Sequence, residues 1–147
     1  MSTRSNIIVR LRNGQWHNVY CHSDGYPSHN GRILVESYNS QAKAERLVKH
    51  GDLSILAPHC DKPAGHSFDN KIPGHCVYYG RDRGEPDTSG TFGDTLEAVW
   101  PTPETWSEFV YVWDAAWGEW KVAELSGPRD KPSDLVTVEH ALEEWAE

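Results

Sequence analysis

The 147 residues predict an α+β fold: an antiparallel sheet of about five strands, two hairpins plus one strand, with helices mainly on one face. Three observations predict it. β-rich runs at Asn6–Leu11 and Trp16–His22 flank Arg12-Asn13-Gly14-Gln15, where Asn-Gly signals a tight type I′ turn with positive φ at both central residues. A second alternating pair, Glu108–Trp113 and Trp120–Leu125, flanks Asp114–Glu119 with its Gly118. Helical rather than strand patterns lie between the hairpins and after the second.

Taken in order, Ser23–Gly31 is a polar loop, and Asn30 caps a helix that runs to about Tyr38. Ser40 caps a helix over Gln41–His50, with Ala44, Leu47 and Val48 on one face and Gly51 just past the end. Leu53–Leu56 reads as a short turn of helix. Ala57–Gly74 is an irregular loop of the length that often carries function. His75–Tyr79 is a short strand entering a charged turn, Arg81-Asp82-Arg83-Gly84-Glu85, and a flexible stretch follows to Gly93. Thr95–Trp100 fits strand or helix. Trp113 and Trp120 flank the second hairpin as a cross-strand aromatic pair, and Val138, Leu142 and Trp145 recur at helical spacing.

Length and composition suit a single domain over residues 1–147. Charge divides it. Residues 1–84 carry a balance of +4 and seven of the eight histidines, whereas the Trp-rich residues 85–147 carry −12, for a net −8. A pI of 5.4 argues against a duplex nucleic-acid binder, for which values above about 9 are usual. A small anionic ligand held by a few local arginines needs no basic molecule. No apolar run approaches membrane-spanning length, and the N-terminus lacks a signal-peptide pattern, so neither a membrane partner nor export is expected. Cys21, Cys60 and Cys76, odd in number, are expected as reduced thiols.

Walker A, GxGxxG, HExxH, GxSxG and CxxC patterns are all absent. His59-Cys60 and His75-Cys76 offer zinc-type ligands, but neighbouring residues rarely reach one ion together, so the expectation is no metal and no cofactor. Three segments carry the candidate chemistry. In Tyr20-Cys21-His22-Ser23-Asp24-Gly25-Tyr26-Pro27, Asp24 can orient His22, the turn presents Tyr26, and the following helix start offers N–H groups to a phosphate. His66-Ser67-Phe68-Asp69-Asn70 combines a base, a stacking face and an amide. Arg81 and Arg83, two apart at a strand exit, can converge on an anion, with Asp82 holding one of them. Each segment also reads as plain structure: an Asx-type turn, a self-satisfied loop, and surface ion pairs.

Thr3-Arg4-Ser5-Asn6-Ile7, the YCHSDGYP segment with Gly31 after it, HSFDN and RDRGE together resemble a family of small bacteriophage and prophage proteins reading TRSNI…YCHWDGYP…HxFDN…RDRGE. The likeness covers about residues 3–85 and departs at Ser23, where the family has Trp. It implies a phage accessory protein of the host bacterial cytoplasm, in the company of proteins that neutralise nucleotide signals of host immunity.

Three functions follow as expectations. The first is counter-defence by sequestering a cyclic dinucleotide or a cyclic ADP-ribose type signal. Arg4, Arg81 and Arg83 would meet phosphates, Tyr26 or Phe68 would stack on a base, Asp24 or Asn70 would read polar edges, and Asn6, Tyr20 and Asp69 would complete the site. The second is metal-independent cleavage of such a signal, with His22 and His66 as base and acid. The third is an acidic, Trp-rich inhibitor that docks a host protein. The expected partner is a small anionic nucleotide ligand, a homo-oligomer being left open.

Overall fold

A computed structural model describes residues 3–125, 127 and 129–145. Strand β1 (Ser5–Arg10) pairs antiparallel with β2 (Trp16–Cys21), as the Asn-Gly signal predicts. The turn is wider than expected. Only Gly14 takes positive φ, at 91°, and Leu11 N–H bonds to Gln15 O while Gln15 N–H bonds to the Asn13 side chain, so this is not a two-residue type I′ turn.

From Pro27 the chain makes one wide, π-type turn to Gly31 and continues directly into α1 (Arg32–Ser37). The predicted cap, Asn30, is buried inside that turn. Its amide reaches Ser5 Oγ, Cys21 Sγ and Ser23 O, which ties the loop to the ends of β1 and β2. Helix α2 (Gln41–Val48) has its Ser40 cap, and Ala44, Leu47 and Val48 are buried as the spacing predicts.

The next segment corrects the sequence reading. Leu53–Ile55 is not a helical turn but strand β3, parallel to β2 and antiparallel to β4 (Val77–Tyr78). His22 N–H bonds to Leu53 O, so the segment's hydrogen bonds go sideways to the sheet. The Arg81–Glu85 turn is likewise a short helix, α3 (Tyr79–Arg83), closed by Gly84 at φ 79°. Residues 85–93, expected to be flexible, lie along the sheet. Asp52 N–H bonds to Thr88 O, His17 Nε2 lies 2.7 Å from Ser89 O, and β5 (Thr91–Gly93) pairs with β2. Thr95 caps α4 (Leu96–Val99).

Strands β6 (Phe109–Asp114) and β7 (Glu119–Glu124) form the second hairpin, with Trp113 opposite Trp120 at 5.7 Å. Then β8 (Val136–Thr137) pairs with β7 and leads into α5 (Val138–Glu144), which Thr137 caps. Among the described residues one eight-stranded sheet results, in the order β4-β3-β2-β1-β6-β7-β8, with β5 on β2. It is larger than the expected five strands and mixed rather than antiparallel, because β1–β6 and β2–β3 are parallel pairs. Parallel neighbours require long crossovers, and the segments between Cys21 and Phe109 supply them.

Odd-numbered residues of β1 (Ile7, Val9) face the main core with Val19, Tyr111 and Val122, and α1, α2 and α5 cover that side. Even-numbered Ile8 joins Trp16, Val99, Val110 and Val112 in a smaller core under α4. Helices therefore do lie mainly on one face. The three cysteines are buried and free, and burial pushes the thiols of Cys21 and Cys76 up to about 12 and about 11. No described helix is long and apolar enough to cross a membrane.

Candidate functional site

Register decides which candidate residues share a face. Asn6 and Tyr20 are cross-strand partners on the α4 side of the sheet, and alternation puts Arg4 and His22 there too. The backbone ahead of β1 is clamped from both sides, with Gly25 N–H on Thr3 O and Glu108 N–H on Arg4 O, each 2.8 Å. Gly25 permits that approach, since a Cβ there would lie 2.7 Å from Ser5 Cβ and 2.9 Å from Thr3 O.

On this face Tyr20 Oη lies 2.8 Å from His22 Nδ1. Burial pushes the Tyr20 hydroxyl above its ordinary range, against the opposing charge and hydrogen bonding of Arg4. Arg4 Nε is buried and makes no hydrogen bond among the described residues. A buried guanidinium donor without a partner is uncommon and asks for an acceptor. Asn6 lies beneath as structure: its amide donates to Asn18 Oδ1 at 2.9 Å, Ser107 Oγ donates to its Oδ1, and Asn18 in turn donates to Val99 O.

The face extends toward α3. Tyr79, to which the sequence assigns no role, is tied to Tyr20 through Asp52, whose Oδ1 accepts the Tyr20 N–H and whose backbone O accepts the Tyr79 N–H, and it packs its ring 5.7 Å from Phe68. Phe68 in turn carries the Arg83 guanidinium at 4.7 Å and the Lys71 ammonium at 4.8 Å over its ring. The Arg83 side chain is 52% exposed, with Glu85 at 3.7 Å. Arg4, Tyr20, His22, Tyr79, Phe68 and Arg83 are thus linked along one polar, aromatic surface. The signal for Tyr79 was its place one residue before Gly80 at a strand exit.

The remaining candidates fall elsewhere. Arg81 points inward: Nε meets Asp82 Oδ1 at 2.9 Å, Nη1 donates to Cys60 O at 2.7 Å, and Nη2 reaches Cys76 O and Asp82 Oδ2. His66 has a fully buried side chain. Its Nδ1 accepts the Ile72 N–H at 3.0 Å, so the proton sits on Nε2, which faces Cys76 O at 3.1 Å and Asp82 Oδ2 at 3.3 Å. Burial raises the Asp82 carboxyl, but hydrogen bonds from Arg81 and the Tyr78 N–H, with the charge of Arg81, outweigh it and hold the group below its usual range. Asn70 closes its own loop on Gly65 and Ser67, and Asp69 is exposed beside it.

Asp24 takes φ 55° and accepts from Tyr26, whose ring packs toward the main core on the helical side. The N–H groups expected to be open to a phosphate at the next helix start are bonded within the wide turn: His29 N–H to Tyr26 O and Asn30 N–H to Asp24 O. The bridge between His59 and His75 brings their rings to 5.3 Å, while Cys60 and Cys76 turn to the core side. Alternation separates the imidazoles from the thiols, and no group of three or more His, Cys, Asp or Glu suited to a metal occurs among the described residues. No family model, curated protein or solved structure matches the chain.

Proposed function

We propose that the protein binds and sequesters a small phosphate-bearing nucleotide signal on the Arg4–Tyr20–His22 surface. The buried Arg4 Nε, unbonded among the described residues, carries this reading, because a phosphate oxygen is the acceptor that geometry lacks. Arg83 supplies a second, solvent-accessible cation, and Phe68 and Tyr79 supply aromatic surface beside it. The family likeness over residues 3–85 points the same way, toward a phage counter-defence role in the host cytoplasm against cyclic dinucleotide or cyclic ADP-ribose type signals. Cleavage by a His22–His66 pair is the weaker reading, since His66 has no exposed side-chain surface and both ring nitrogens are engaged.

The test is incubation with a panel of cyclic dinucleotides and cyclic ADP-ribose isomers, then denaturation and mass spectrometry of what is released. One panel member should come off chemically intact. Arg4→Ala should weaken its binding by about 1.5–3 kcal/mol, the range for a lost charge-assisted bond. Recovery of a linearised product would favour the hydrolase, and no retention of any panel member would end the nucleotide reading.

A further inference from the structure

The opposite side of the molecule carries a groove with the reverse chemistry. It runs between α1, α5 and the β6–β7 turn and encloses about 400 Å³. Trp113 and Trp120 form its floor with Val138 and Leu142. Both indole N–H groups are already bonded, Trp113 to Gln41 Oε1 and Trp120 to Tyr38 O, each at 2.8 Å. The two tryptophans are themselves buried, as is Val138, so the accessible apolar surface of the groove lies at Val35 and Leu142 above them. Val35, on the lip, is 42% exposed, one of three large apolar residues so exposed among those described.

Glu36, Glu119 and Glu139 stand around this floor and are exposed, against one cation, Arg32. None of these four forms an ion pair among the described residues. An apolar floor inside a ring of uncommitted carboxylates repels phosphate and anionic lipid, and it complements an apolar side chain flanked by positive ones. The proposed ligand of the other face is excluded here by sign.

We infer that this groove is a docking site for a basic amphipathic helix of a partner protein. An aliphatic anchor of that helix seats between Val35 and Leu142, and its lysines or arginines meet Glu36, Glu119 and Glu139. The mode is helix-in-groove recognition, with the carboxylates setting the sign of the partner and steering its approach.

The probe is a fluorescein-labelled helix with leucines at i, i+3, i+4 and i+7 and lysines elsewhere, alongside a counterpart with glutamate for lysine. Fluorescence anisotropy should show saturable binding of the lysine peptide only, weakening as salt rises. The indole N–H signals of Trp113 and Trp120 should shift in the 147-residue chain. Glu36→Lys with Glu139→Lys should cost about tenfold or more in affinity, and so should Val35→Lys. Glu97→Lys with Glu104→Lys, an equal charge change elsewhere, should leave affinity within about twofold, as should Arg4→Ala. Equal losses in the two charge-reversed pairs would mean attraction by net charge alone and overturn the site. Concentration-dependent dimerisation abolished by Glu139→Lys would overturn it in favour of a second copy of this chain.

Discussion

Two clusters, each built on an arginine and a histidine, one completed by an aspartate and the other by a tyrosine, stand at adjoining parts of the sheet. In the corner of Arg81, His66 and Asp82 every polar atom has a partner, and the group ties α3 to the 57–76 loop through Cys60 O and Cys76 O. At the surface of Arg4, Tyr20 and His22, one guanidinium nitrogen is buried without a bond among the described residues. A completed network specifies structure, whereas an incomplete one has capacity left for a ligand. The sequence alone makes the two clusters look alike, and hydrogen-bond completeness separates them.

The sharpest break of that comparison is Arg81→Ala. It leaves the Asp82 carboxylate buried without its main counter-charge, so unfolding stability should fall by about 3 kcal/mol or more, read from urea denaturation. Arg4→Ala and Arg83→Ala should each change stability by less than about 0.5 kcal/mol while weakening ligand binding. A large stability loss at Arg4 with unchanged binding would reverse the assignment of the two clusters.

Gly25→Ala probes the clamp on which the open surface rests. With Ser5 Cβ at 2.7 Å from the new methyl, about 1–3 kcal/mol of overpacking is expected, together with displacement of Thr3 and Arg4 and weaker binding.

Acid should act on the closed cluster. The Asp82 carboxyl is depressed in the fold, so the native state holds fewer protons than the unfolded chain as pH falls below the ordinary carboxylate range. Its stabilisation is complete above that range and is lost as pH falls through the folded value. Asp82→Asn should flatten that part of the stability–pH curve, and an unchanged slope in the variant would assign acid sensitivity to other groups. His17, lowered mainly by burial, adds a loss of the same sign that begins nearer its ordinary value of 6.5.

The smallest effect belongs to Tyr20→Phe. Loss of the hydroxyl beside His22 should cost about 0.5–1.5 kcal/mol of stability, read from urea denaturation.

What the sequence by itself determined was whatever short-range physics controls. The alternation of β1, β2, β6 and β7, the Ser40 cap and apolar face of α2, and the Trp113–Trp120 pair are all written in residue spacing and local hydrogen-bond chemistry. The tertiary structure alone decided the parallel pairings of β1 with β6 and β2 with β3, the strand at Leu53–Ile55, and the helix at Tyr79–Arg83. A three-residue segment takes its hydrogen bonds from whichever strand lies beside it, and Leu53 finds its partner at His22, far away in the chain. The same holds for the arginines. Arg81 and Arg83 are two residues apart with nearly identical local signals, and only the fold buries one among distant carbonyls and leaves the other in solvent, because burial depends on the rest of the chain rather than on neighbours in sequence.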